Sequence, residues 1–187
     1  MDLTRFEPLA RGIPVAGPTC RRLRISSSEW VLIEMVRPNL VEGDWFAVPL
    51  REGGYAIGLV ARANPNGVLL GYFFGPRHKV MPSLLDVEDL EPGDAVLVGK
   101  FGFLGLKQGR WPILGRLRGW NRDSWPMPTL IRYEELTGRS FRVYYDDNDP
   151  NRLIREELIH PGRVESGPND GLMGDGFLEK VLTTVLR

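Results

Sequence analysis

Turn-forming residues punctuate this sequence from one end to the other. Among 187 residues there are 22 Gly and 15 Pro, and they separate short apolar runs instead of gathering in one linker. Every chain reversal needs its own turn chemistry, so this spacing predicts many short strands. The clearest are Trp45 to Leu50, Tyr55 to Arg62 and Val68 to Phe74, joined by Glu52-Gly53-Gly54 and Asn64-Pro65-Asn66-Gly67. Connections this short allow only antiparallel neighbours, because a parallel pair needs a long crossover. The three strands therefore form a meander. Leu69-Leu70-Gly71-Tyr72-Phe73-Phe74 is apolar at successive positions, which predicts a sheet covered on both faces.

Further along, Ser83 and Asp86 are spaced to cap a helical turn running to Leu90. Pro92-Gly93-Asp94 leads into a strand at Ala95 to Val98, and Arg110 to Leu117 reads as its partner. The glycines of Gly99 to Gly105 lack the strand–loop–helix context of a phosphate loop and read as a strand connection. Trp120 to Pro128 reads as an ordered irregular loop and Phe141 to Tyr145 as a strand, while Arg152 to Leu158 fits either state. Glu42-Gly43-Asp44 and Pro92-Gly93-Asp94 each precede a strand, which coincidence explains better than a duplication does. At the end, Phe177, Leu178, Val181, Leu182, Val185 and Leu186 fall on one helical stripe, with Asp175 placed as N-cap. Near the start, Ser26 and Glu29 have capping-box spacing ahead of Trp30 to Val36, which predicts a short helix ending before Pro38. A strand competes there because of the β-branched residues.

Together these elements predict an α+β fold: a predominantly antiparallel β-sheet, a meander able to close into a barrel, with a short N-terminal helix and a C-terminal amphipathic helix. The expected organisation is a single domain over 1–187. It comprises a basic segment 1–40, a β-rich core 42–160 and a terminal helix 176–187.

Charge and residue chemistry exclude several functions. Lys plus Arg and Asp plus Glu both number 24, so a strongly electrostatic nucleic-acid binder is disfavoured. The lone Cys20 permits no intramolecular disulfide and suits a reducing compartment. No basic-then-apolar leader opens the chain and no run approaches ~20 apolar residues, so a cytoplasmic protein with no membrane partner is expected. His78, between Arg77 and Lys79, reads as a surface residue, and two histidines with one cysteine cannot assemble a structural zinc site. No nucleophile elbow, phosphate loop or dinucleotide fingerprint is present, so no catalytic residue, cofactor or metal is assigned.

Two features remain as candidate binding elements. Asp146, Asp147 and Asp149 form an acidic turn before Pro150. Such a turn either bonds its own amides or docks a basic partner, and it lacks the distal glutamate of a calcium loop. Trp120 and Trp125 lie in a loop, where they either anchor a partner or plug one end of the sheet. Charge is unevenly spread: Arg5, Arg11, Arg21, Arg22, Arg24 and Arg37 make the start basic, and Glu134 to Lys180 is acidic.

The run Gly43-Asp44-Trp45-Phe46-Ala47-Val48-Pro49-Leu50, then Gly53-Gly54-Tyr55-Ala56-Ile57-Gly58, then Leu70-Gly71-Tyr72-Phe73-Phe74-Gly75 resembles the Immunity protein 26 family. The strand and turn from Phe141 to Asp147 is also similar, and the resemblance spans roughly 42 to 160. It implies a non-enzymatic bacterial antidote that binds and silences a toxin made by the same cell, and the expected mechanism is a one-to-one complex that occludes the toxin's active site. The matching residues build the fold, so the resemblance assigns no interface. Asp146, Asp147, Asp149, Trp120 and Trp125 are this chain's own candidates for toxin contact, suited to a basic nuclease. The alternatives are a small β-rich nucleic-acid-binding module, with Arg5 to Arg37 along phosphates, and a carboxylate hydrolase for which no pair is singled out. Oligomeric state is not set by the sequence.

Overall fold

The computed structural model describes residues 21–25, 29–33, 40–160, 162–163 and 165–187. The chain divides into two compact units, Met1–Pro38 and Asn39–Arg187. In the first, β1 (Arg21–Ile25) and β2 (Glu29–Ile33) pair antiparallel, with Leu23 opposite Val31. This corrects the helix expected from Trp30 onward. Trp30, Val31 and Ile33 are aromatic or β-branched, and such side chains suit a paired strand better than a helical turn. Ser26, Cys20 and residues 34–36 lie outside the described residues.

The second unit is built on β3 (Asp44–Pro49), β4 (Tyr55–Ala63), β5 (Val68–His78) and β6 (Ala95–Gly102), an antiparallel meander. Gly53 and Gly54 at the first turn have φ of 84° and 75°, the left-handed region that glycine enters without strain. At the second turn the Asn64 side chain accepts from the Val68 amide at 2.9 Å. A short helix α1 (Leu104–Lys107) follows β6, so Gly99 to Gly102 belong to the strand and not to a connection.

Next comes β7 (Ile113–Arg116), which pairs with β3, not with the Ala95 strand as the sequence suggested. Pairing between distant segments leaves no local trace, so sequence adjacency misassigned it. After β8 (Leu130–Glu134), β9 (Arg139–Asp146) and β10 (Asp149–Ile159), which form a separate three-stranded antiparallel sheet, β11 (Leu172–Met173) adds in parallel to β6. The large sheet thus runs β11-β6-β5-β4-β3-β7 and stays open, since its two end strands do not pair. That corrects the barrel option. Both edge strands are very short, which limits unwanted strand addition.

Period-two alternation sends successive side chains to two separate cores. Phe46, Val48, Val60, Leu69, Phe73 and Phe101 lie on the first face, under α1, Trp111 and the terminal helix α2 (Asp175–Val185). On the second face Trp45, Ile57, Leu59, Leu70, Tyr72 and Phe74 pack with Val87 and Trp125. Gly58 stands opposite Phe46 in the ladder, and a Cβ there would collide with the Phe46 ring. The missing side chain on β4 is what lets that aromatic lie flat across the sheet.

Helix α2 begins at Asp175 with Gly174 as its N-cap, one residue earlier than expected. Asp175 occupies the first turn instead, where a carboxylate is favoured by the helix dipole. Leu178 and Leu182, one turn apart, are fully buried, whereas Phe177 and Val185 at the margins of the stripe are exposed. None of the described helices is long and apolar enough to cross a membrane.

Candidate functional site

The acidic turn closes the β9–β10 hairpin, and its carboxylates are tied to the body of the second unit. Asp147 Oδ1 accepts from Arg62 Nε at 2.9 Å and Nη2 at 2.7 Å, and its other oxygen pairs with Arg122. Arg122 Nε also donates to Glu42 at 2.8 Å. Asp149 accepts from the Asn64 side chain at 2.8 Å, and Asp146 pairs with Arg152. Asp146 and Asp149 also accept from the amides of Asn148 and Asn151, at 2.8 and 2.9 Å. These are the local bonds expected of a turn that folds on itself.

Three arginines thus balance much of the charge that the sequence displays at this turn. Arg62 is 2% exposed, while the Asp147 side chain is 50% exposed. Among the described residues, no group of three or more His, Cys, Asp or Glu is placed to hold a metal ion.

Burial works against the Asp147 charge, but hydrogen bonds and attraction from Arg62 and then Arg122 prevail and lower its pKa. Asp146 is lowered mainly by the Asn148 amide and then Arg152, and Asp149 mainly by Asn64 and then the Asn151 amide. A carboxylate whose pKa is lower in the folded state adds stability above its unfolded pKa and loses it as pH falls through the folded value. Hairpin anchoring is therefore expected to hold at neutral pH and to loosen below about pH 4, the ordinary aspartate range. Amide exchange across β9 and β10 should speed up there, and unchanged protection would contradict the pairing.

The tryptophan loop lies on the second face of the large sheet. Trp125 is 7% exposed and meets Trp45, Tyr72 and Phe74 edge-on, at centroid distances of 5.6, 5.3 and 6.0 Å. The Tyr72 hydroxyl donates to the Pro126 carbonyl at 2.6 Å and fixes the loop further. Trp120 is half-buried against the backbone of Gly43, where a Cβ would come within 2.7 Å of the indole. Gly43 has φ of 90° and Asp44 Oδ2 accepts from the Val41 amide at 2.9 Å. The Gly-Asp turn is thus a seat for Trp120. Gly93 is not in the left-handed region and lies in a 3-10 turn (Pro92–Asp94), so the two Gly-Asp turns differ.

Two depressions flank this loop. One of ≈ 400 Å³ lies between it and the hairpin, with Arg62, Asp123, Thr129, Tyr144 and Asp147 in its wall. The other, of ≈ 340 Å³, lies between the loop and the segment Leu90–Pro92, with Trp45 and Trp120 in its lining. Trp120 and Trp125 therefore share one side of the sheet with Asp147, and an arginine joins loop to hairpin through Arg122.

Sequence reasoning passed over a second acidic element, the segment capped by Ser83. The Asp86 carboxylate accepts from the Ser83 amide and hydroxyl at 2.7 and 2.9 Å, which starts the 3-10 turn Leu84–Val87 as the capping spacing predicted. Those Ser83 bonds hold the Asp86 pKa low. Asp86, Glu88, Asp89, Glu91 and Asp94 are all exposed, and none forms an ion pair among the described residues. The readable signal was the absence of any Lys or Arg from Val80 to Gly99. His78 is half-buried at the end of β5 and His160 is exposed.

A model of the Immunity protein 26 family matches residues 41–142, more than half of the chain. The match spans β3 to β8 and enters β9, stopping short of the 160 expected and before the hairpin tip and α2. No curated protein matches the chain, and no solved structure does.

Proposed function

The chain belongs to the Immunity protein 26 family, and from that membership we propose that it binds a cognate bacterial toxin and neutralises it by covering the toxin's active site. The family match is the observation that carries this reading. In it the protein acts in the cytoplasm, performs no reaction of its own and forms a one-to-one complex. The toxin contacts the side of the sheet that bears the tryptophan loop and the hairpin tip. Asp146, Asp147 and Asp149 form one rim of that contact, held in place by Arg152, Arg62, Arg122 and Asn64. Trp120 and Trp125 support the loop from beneath, because their rings lie against Gly43 and the second core. A surface fixed by ion pairs and packed rings loses little conformational freedom on binding, which favours tight association.

The alternative, a nucleic-acid-binding module, needs exposed aromatic faces on which bases stack. Trp125 and Trp45 instead spend their rings on each other and on Phe74. The test is co-expression in a bacterium with the toxin domain made by the same cell. Growth should recover when the chain is present and fail when it is absent. Continued killing despite soluble chain would refute the proposal.

A further inference from the structure

The segment from Met81 to Asp94 carries five exposed carboxylates with no ion-pair partner among the described residues. Glu88 and Asp89 also make no side-chain hydrogen bond there. The ridge differs in this from the hairpin, whose acids are matched by arginines. Unmatched charges of one sign on a fixed scaffold produce a field that reaches about 10 Å into solvent at 0.1 M salt.

Leu85, next to Asp86 at the start of the carboxylate run, is 79% exposed, and Met81 at the head of the same segment is 45% exposed. An exposed apolar side chain bordered by carboxylates has the composition of the apolar part of a contact with a polar rim. Val87, on the opposite side of the same turn, is fully buried in the second core, so the ridge is anchored to the sheet.

A second observation points to a ligand at the same place. The ridge and the tryptophan loop share the ≈ 340 Å³ depression, lined by Trp45, Glu91 and Trp120 among others. Trp45 is fully buried, and neither its indole Nε1 nor that of Trp120 has a hydrogen-bond partner among the described residues. Buried indole N–H groups in folded proteins nearly always meet an acceptor. Two such donors beside a concave surface suit a segment that brings carbonyl oxygens. Arg118, exposed in the same wall, is the basic residue lining it.

We infer that this ridge and the depression beside it are where the toxin docks, and that the docking segment is rich in Lys or Arg. Its cations face Glu88, Asp89 and Glu91, an apolar group covers Leu85, and its backbone carbonyls lie toward the two indoles. The inference rests on the toxin-binding reading and names the chemistry of the partner at that site. Charge complementarity of this kind acts chiefly on the association rate, and burial of Leu85 on the dissociation rate.

The test uses the full chain and the catalytically inactivated toxin domain made by the same cell, with binding rates measured from low to high salt. The wild-type association rate should fall steeply as salt rises. Glu88→Lys/Asp89→Lys should slow association at low salt by about tenfold or more and flatten that dependence. Leu85→Ala should speed dissociation several-fold with association unchanged. Both changes lie on exposed side chains, so thermal melting should match wild type and exclude misfolding as the cause. Wild-type rates for the double reversal, with wild-type chain still binding, would overturn the ridge assignment and leave the immunity reading standing. No binding by the wild-type chain would overturn both.

Discussion

Asp170→Ala is expected to destabilise the protein by about 3–5 kcal/mol, the usual cost of removing one partner from a buried ion pair. Asp170 Oδ1 lies 2.8 Å from Lys100 Nζ, and the two side chains are 3% and 8% exposed. Lys100 Nζ also sits 3.6 Å from the centroid of the Tyr145 ring, so β6 and β9 both depend on that ammonium's position. Arg132 lies 3.8 Å from the other Asp170 oxygen, and the Asp170 amide donates to Ile131 at 2.9 Å. The carboxylate thus joins the end of β6, strand β8 and the segment preceding β11. Alanine would strand Lys100 in a site that water scarcely reaches. Lys100→Met/Asp170→Leu, which removes both charges, should return most of the loss. Urea unfolding of the two variants separates the cases. A single variant within 1 kcal/mol of wild type would mean the pair does not hold these elements.

Trp111→Ala should cost a similar amount, about 3–5 kcal/mol, because a large ring leaves the first core. The indole stacks parallel to Phe46 at 5.8 Å and lies 6.0 Å from Phe101. Gly105 of α1 lies against it so closely that a Cβ would come within 2.7 Å. Trp111 Nε1 also donates to Glu179 of α2 at 2.9 Å, beside the Arg110 pairs to Asp175 and Glu179. Loss of the ring therefore removes core volume and one tether of the terminal helix together. Amide exchange should show α2 losing protection before β4 and β5 do. Trp111→Phe, which keeps an aromatic ring and lacks the donor, should cost less than alanine. Equal protection of α2 in wild type and Trp111→Ala would contradict the tether.

How legible the protein was depended on whether its determinants were local. Gly53-Gly54 and Asn64 to Gly67 announced the β3–β4–β5 meander because a tight turn writes its conformation into two or three residues. Apolar residues on both strand faces foretold two cores, and these exist on either side of the sheet. The pairing of β7 with β3, by contrast, joins residues about seventy positions apart. Likewise, the arginine partners of the hairpin acids were not legible, because Arg62 lies 85 residues from Asp147, and Arg122 lies 25 away. Only folding brings those charges together. Trp125 could not be assigned to core or surface from its loop, since Tyr72 and Pro126 settle the matter through a hydrogen bond 54 residues apart. The ridge from Asp86 to Asp94 shows the opposite case. Its lack of nearby cations was visible in the sequence, but its exposure came only from the capped turn that buries Val87.

The most direct test of the central claim is calorimetric titration of the purified chain into the inactivated toxin domain made by the same cell. A toxin-neutralising protein should give one saturating transition at a ratio of one to one, surviving nuclease treatment and physiological salt. Absence of heat and of a co-eluting complex, or a signal that vanishes with nuclease, would contradict it.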